Sequence, residues 1–287
     1  MNAVAAARPI GVSFEFFPPG DAQMEATLWQ SVARLAPLRP RFVSITYGAD
    51  GSTRERTHQV VKRVLRETAL TPAPHLTCIG ASREAVLDIA RDYWRSGVRH
   101  IVALRGDPQP GSAGYRPHPG GFAHALDLVR GLRTVGDFDI SVAAYPEKHP
   151  EAVNAQADLD HLRAKLEAGA SRAITQFFFD TGAFLRFRDR CAAQGLRASL
   201  VPGILPITRL AQMLRFAERC GTRVPAALCA RFAGLEDDAD TRRLIAAAVA
   251  ISQVEELQRE GVDEFHFYTL NRADLTYAIC HALGVRS

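Results

Sequence analysis

One constraint on the fold of this chain dominates: eight short β-rich apolar runs are spaced by longer stretches of helical periodicity. The runs are Gly11–Phe16, Arg41–Tyr47, His75–Ile79, His100–Leu104, Asp139–Tyr145, Arg172–Phe178, Ala198–Ile204 and Glu264–Thr269. Helical patterns occupy Thr53–Glu67, Ser82–Ser96, Gly121–Val135, Ala152–Ala168, Thr181–Gln194, Thr208–Cys220, Asp238–Arg259 and Asn271–Leu283. Ser82 is placed to cap a helix start, and Gly97, Gly169, Gly195 and Gly261 to end helices. Strands that alternate with helices pair in parallel. Eight of them close a barrel, and the 287 residues suit one. The competing architecture is an open doubly wound sheet, but no G-x-G-x-x-G follows the first run and no G-x-x-x-x-G-K-[ST] occurs. The expectation is an α/β chain folded as a single (β/α)8 TIM barrel over residues 10–287, with residues 1–9 as a disordered lead-in.

Barrel enzymes work at the C-terminal ends of their strands, so polar residues there carry the most weight. In Val12-Ser13-Phe14-Glu15-Phe16 the apolar residues share one face, and Ser13 and Glu15 share the other. A carboxylate among aromatic neighbours keeps its proton to higher pH, which suits a general acid. The plain alternative is an edge strand whose Glu faces water. Asp107 follows the fourth run and reads either as a site acid or as a turn residue. Lys148, after the fifth run, would suit a Schiff-base lyase. Its neighbours Glu147, His149 and Pro150 read instead as a solvated loop. The glycine- and proline-rich stretch Gly106–Gly121 is either a tolerated insertion or a wall beside a cofactor.

Composition narrows the function classes. The net charge of +4 comes from dispersed arginines, without the clustered patch that nucleic-acid binding needs. No run reaches the roughly 18 apolar residues of a membrane span. Cys78, Cys191, Cys220, Cys229 and Cys280 form no C-x-x-C, and no H-x-x-x-H occurs, so the chain is expected to hold no metal and to carry reduced thiols in the cytoplasm. No G-x-S-x-G anchors a hydrolase triad. Hydrogen-bonding and aromatic residues at the strand ends favour a planar, polar cofactor.

Eight segments then coincide, in order, with one family. Phe14-Glu15-Phe16-Phe17-Pro18-Pro19, Thr46-Tyr47-Gly48-Ala49, His75-Leu76-Thr77-Cys78, Leu104-Arg105-Gly106-Asp107, Ala144-Tyr145-Pro146-Glu147, Gln176-Phe177-Phe178-Phe179-Asp180, Pro202-Gly203-Ile204-Leu205-Pro206 and Phe265–Arg272 resemble bacterial 5,10-methylenetetrahydrofolate reductase. The resemblance runs from about Ile10 to Arg286. It implies a homo-oligomeric FAD enzyme that reduces 5,10-methylenetetrahydrofolate to 5-methyltetrahydrofolate with NADH or NADPH, in two half-reactions through flavin N5, and so feeds methionine synthesis.

The same resemblance distributes roles. Glu15 would be the general acid toward folate N10, and Asp107 would sit between pterin and flavin. Gln176, Gln212, Phe216 and Arg272 would contact the substrates. Thr46, Tyr47, Ala49, His75, Arg105, Gly106, Asp107, Phe122, Tyr145, His149, Asp158, His161 and Lys165 fall at positions that hold FAD. Phe122, His161 and Ala164 depart from the tyrosine, asparagine and arginine common at their positions. A non-catalytic folate- or flavin-binding protein is the remaining alternative.

Overall fold

The computed structural model describes residues 9–47, 54–107 and 114–286. The lead-in before Pro9, Gly48 and Ala49, and the middle of the Gly106–Gly121 stretch lie outside the described residues.

The strands are β1 (Gly11–Phe16), β2 (Val43–Ile45), β3 (Pro72–Thr77), β4 (His100–Leu104), β5 (Asp139–Ala144), β6 (Arg172–Thr175), β7 (Ser199–Val201), β8 (Gly203–Ile204) and β9 (Glu264–Tyr268). All pairings are parallel, in the order β7-β6-β5-β4-β3-β2-β1-β9-β8. The two ends of this sheet are consecutive in the chain, separated only by Pro202, so the sheet closes on itself as a barrel. The seventh predicted strand is thus one strand in two pieces. Proline has no N–H to give the ladder. Before it the chain pairs with β6, and after it with β9. The carbonyl of Pro202 still accepts from His266 N at 3.0 Å.

The helices are α1 (Ala22–Leu35), α2 (Arg54–Glu67), α3 (Arg83–Arg95), α4 (Ala125–Arg133), α5 (Ala155–Glu167), α6 (Thr181–Ala193), α7 (Leu210–Cys220), α8 (Ala226–Ala230), α9 (Ala239–Arg259) and α10 (Ala273–Ala282). Ser82 caps α3, its hydroxyl accepting from Ala85 N. Helices α1 and α8 were not among the expected stretches. Helix α1 starts at an Asp21 cap and buries Leu28, Val32 and Leu35 on one face.

Strand alternation builds two cores. Outward residues such as Val12, Phe14, Phe16, Phe265 and Phe267 pack under the helices. Inside the barrel, Phe42, Ala73, Val102, Ile174 and Val201 form a second, apolar layer. Polar groups lie on either side of it. Toward the N-terminal strand ends, Arg172 pairs with Asp139 at 3.0 Å and with Glu264 at 3.5 Å, and Arg41 reaches Glu264 at 3.3 Å. His100 Nε2 lies 2.8 Å from Ser141 Oγ. The expected site residues lie toward the C-terminal ends.

Candidate active site

Glu15 enters the barrel because Phe14 and Phe16 take the opposite face, where they are buried against the helices. Its surroundings are therefore not the phenyl rings next to it in sequence. Its carboxylate Oε2 lies 3.5 Å from His75 Nε2 on β3 and 3.9 Å from His266 Nε2 on β9. His266 also meets Ser13 Oγ at 2.8 Å through Nδ1, and Ser44 Oγ at 3.5 Å. Burial holds the His75 imidazole below its ordinary pKa, against the opposing pull of Glu15. About a fifth of the Glu15 side chain remains exposed, at 21%, so the acid is shielded below and open above. The edge-strand alternative does not apply, since β1 is paired on both sides.

Hydrogen bonds from the last strand fix the β1 end. Thr269 Oγ1 donates to Glu15 O at 2.6 Å. The Asn271 amide bonds both Phe17 N and Phe17 O, at 3.1 and 2.9 Å. Leu270 and Asn271 take φ of +50° and +53° to make this turn, a conformation that asparagine tolerates better than most residues. Ser31 Oγ of α1 donates to Asn271 O at 2.8 Å. Helix, first strand and last strand are thereby tied at the mouth.

Three strands along from β1, β4 runs into Arg105-Gly106-Asp107. Gly106 has φ +87°, which turns the chain so that Asp107 stands exposed at the rim. Arg105 is fully engaged. Its Nε donates to Gly106 O, both terminal nitrogens meet Glu151, and its guanidinium lies 4.4 Å over the Tyr115 ring.

The β5 end continues the rim. Tyr145 and His149 meet edge to face at 4.7 Å. Asp158 accepts from His149 N at 2.9 Å. Lys165 of α5 donates from Nζ to Ala143 O at 2.7 Å. Burial lowers its pKa to about 8, with Asp158 opposing. Thr46 and Tyr47 lie at the β2 end, where Tyr47 Oη accepts from Arg54 Nε at 2.5 Å. Gln176 stands at the β6 end, its side-chain oxygen accepting from Phe177 N. Gln212 and Phe216 are half-buried on α7. Arg272 is exposed and reaches Thr208 Oγ1 at 3.3 Å.

Not every expected residue joins this mouth through its side chain. Phe122 is 2% exposed, its ring enclosed beside Gly131 and under Arg83. Any contact it makes with a ligand comes from its backbone. His161 is exposed on α5, edge-on to His124 at 6.3 Å. Lys148 turns into its own loop, Nζ donating to Ala152 O at 2.7 Å, away from the geometry of a Schiff-base site. Among the described residues no group of three or more His, Cys, Asp or Glu side chains could hold a metal ion, and no helix is long and apolar enough to cross a membrane.

Sequence reasoning left Ser13, His266, Tyr268, Asn271 and Glu151 without roles. For His266 and Tyr268 the signal was present. Glu264, His266 and Tyr268 alternate with two phenylalanines, so they face inward beside Ser13 and Glu15. The Arg105–Glu151 pair joins two loops and leaves no periodic trace.

A family model described as methylenetetrahydrofolate reductase matches residues 1–284. The 5,10-methylenetetrahydrofolate reductase of Pectobacterium carotovorum subsp. carotovorum is 57% identical over 278 residues, covering 96% of this chain and 91% of the relative. That of Escherichia coli strain K12 is 56% identical over 277 residues, covering 96% and 92%. Among solved structures, an uncharacterized protein from Clostridium thermocellum that binds two copies of 5-methyl-5,6,7,8-tetrahydrofolic acid has a TM-score of 0.66 over 97% of this chain and 96% of its own. At 13% identity it is a likeness of fold alone. With one family model spanning the barrel and relatives more than half identical along it, the chain belongs to the methylenetetrahydrofolate reductase family.

Proposed function

We propose that this chain reduces 5,10-methylenetetrahydrofolate to 5-methyltetrahydrofolate, using FAD and a reduced nicotinamide. The observation that carries the reading is Glu15: an inward carboxylate at the barrel mouth, backed by imidazoles and open only toward the solvent side. Family membership supplies the substrate.

The donor set suits an anionic, planar cofactor. Lys165 is a half-buried ammonium whose hydrogen bond goes to a neutral carbonyl, and a cation withdrawn from water is stabilised by an anion brought to it. Thr77 Oγ1, at the β3 end, is buried without a hydrogen-bond partner, so a ligand acceptor or donor there would satisfy it. His149 and Lys165 would serve the pyrophosphate, Asp158 a ribose hydroxyl, and the ends of β2 through β5 the ring system. FAD, when bound, supplies the hydride carrier between nicotinamide and folate.

The remaining work belongs to side chains. Glu15 delivers a proton to N10 as the imidazolidine ring of the folate opens. His75, kept neutral by burial, leaves that carboxyl group free of a permanent cationic partner. Asp107, exposed at the rim, places negative charge where the opened folate carries positive charge. Gln176 and Arg272 orient the folate, and Phe216 offers a ring for stacking. The reading extends to a homo-oligomer in the cytosol whose product serves methionine synthesis, as the family resemblance implies.

Colour tests it. The purified protein should be yellow, bleach anaerobically with NADH or NADPH, and recover its absorbance when methylenetetrahydrofolate is added. A colourless protein that takes up no FAD would sink the proposal.

A further inference from the structure

Tyr268 stands at the mouth in register with Glu15, on the neighbouring strand. Both residues point inward from adjacent strands, whose backbones lie only about 4.8 Å apart, so the two side chains leave the sheet side by side. The ring is pinned at both ends. Its Cα belongs to β9, and its hydroxyl donates to Thr175 O on β6 at 2.7 Å. That bond passes over Gly203, in the second piece of the broken strand. A Cβ on Gly203 would lie 2.3 Å from Thr175 O and 2.5 Å from Tyr268 Cε2, so only glycine leaves room for the crossing. Gly203 N completes the junction by donating to Thr175 Oγ1 at 3.0 Å. His266 meets the ring edge-on at 5.3 Å, and Phe177 stands edge-on to it at 6.4 Å.

The phenol is thus committed to a carbonyl and has no proton to offer Glu15. Its ring, fixed at both ends, bounds the mouth on the β9 side of Glu15. The polar groups facing Glu15 are the imidazoles of His75 and His266. A glutamate has three rotatable bonds, and without a wall on the β9 side its carboxyl group would sweep across the mouth. We propose that Tyr268, seated through Gly203 and Thr175, is a positioning residue for Glu15, holding its carboxyl group on the His75 side and aimed at the bound folate. This rests on the reading of Glu15 as the acid of the folate step.

The test measures the two half-reactions of the FAD-loaded protein separately by rapid mixing. Tyr268→Phe keeps the ring but frees it from Thr175. It should slow folate-dependent reoxidation about tenfold while leaving reduction by the nicotinamide unchanged, as expected for a small misplacement of an acid. Gly203→Ala, which drives the ring off its seat, should slow the same half by about a hundredfold. Melting temperature and flavin content of each variant show whether it has folded, and Tyr268→Phe carries the test alone if Gly203→Ala does not fold. In a Glu15→Gln background, Tyr268→Phe should have no further effect, because the group it positions is gone. Equal slowing of both halves, or an undiminished effect in that background, would reduce Tyr268 to a structural residue. If Glu15→Gln abolishes folate reduction and Tyr268→Phe does not slow it, this inference alone falls. If Glu15→Gln leaves folate reduction intact, the acid assignment falls and takes this one with it.

Discussion

The two ends of the barrel use similar residues for opposite purposes. At the N-terminal end, Arg41, Asp139, Arg172 and Glu264 answer one another's charge, and Glu264 and Arg172 are largely buried while they do so. At the C-terminal end, Glu15 is set against two imidazoles and Asp107 stands exposed at the rim. Charges closed upon each other stabilise a fold only if all partners remain. Charges left open toward a ligand contribute little to stability and a great deal to chemistry. The apolar layer of Phe42, Ala73, Val102, Ile174 and Val201 separates the two.

The sharpest way to break this contrast is to neutralise one acid at each end. Glu15→Gln should lose at least about a hundredfold in folate-dependent reoxidation, the range of a removed general acid. Flavin content, nicotinamide oxidation and melting temperature should stay near those of the parent. Undiminished folate turnover would remove Glu15 from the acid role. At the other end, Glu264→Gln leaves Arg172 and Arg41 short of a buried partner. It should destabilise the fold by about 3 kcal/mol, the lower end of the range for a broken buried pair. Turnover per folded molecule should not change. A urea melt reads the first and an active-site-normalised assay the second. If the melt does not move, the N-terminal cluster is ornament.

A pH titration sharpens the comparison further. His100 is buried beside Ser141 and Asp139, and burial lowers its pKa to about 4. The unfolded chain takes up that proton near pH 6.5 and the folded chain only near 4, so the unfolded state binds more protons in between. Stability should therefore fall as pH drops from about 6.5 to 4, by up to about 3 kcal/mol from this residue. Burial works to raise the Asp139 pKa, but His100, Ser171 and Arg172 together hold it below the ordinary value. Its contribution is present above about pH 4 and lost as pH falls further. His100→Gln should flatten the upper part of this slope. A slope that persists unchanged would assign it to other groups.

The barrel was more legible in the sequence than the surroundings of Glu15. Barrel closure followed from counting strands, because parallel β/α units have few ways to bury both faces of a sheet. The placement of Glu15 followed from alternation along β1. Its neighbours did not, because His75 and His266 are 60 and 251 residues away and meet it only through register across the barrel. The break in the seventh strand was written in Pro202, yet its consequence, a Gly203 that admits the Tyr268–Thr175 bond, is a crossing of three strands. Phe122 shows the converse. A residue matched by position points into the core, since Gly131 on α4 makes room for its ring.

Lys148 supplies the smallest expected effect and a check on the contrast itself. It stands at the open end, so proximity alone would assign it chemistry. Its ammonium, however, donates to Ala152 O and reaches Pro150 O at 3.5 Å, within its own loop. A lysine spent on local carbonyls should behave as a loop residue. Lys148→Ala should change stability by no more than about 0.5 kcal/mol, as at other partly exposed loop positions. Both half-reactions should continue at the parental rate, and borohydride should trap no adduct of the parent protein with its substrate. A loss of either half-reaction would mean that openness at the mouth, rather than the partner each side chain faces, decides which charges work.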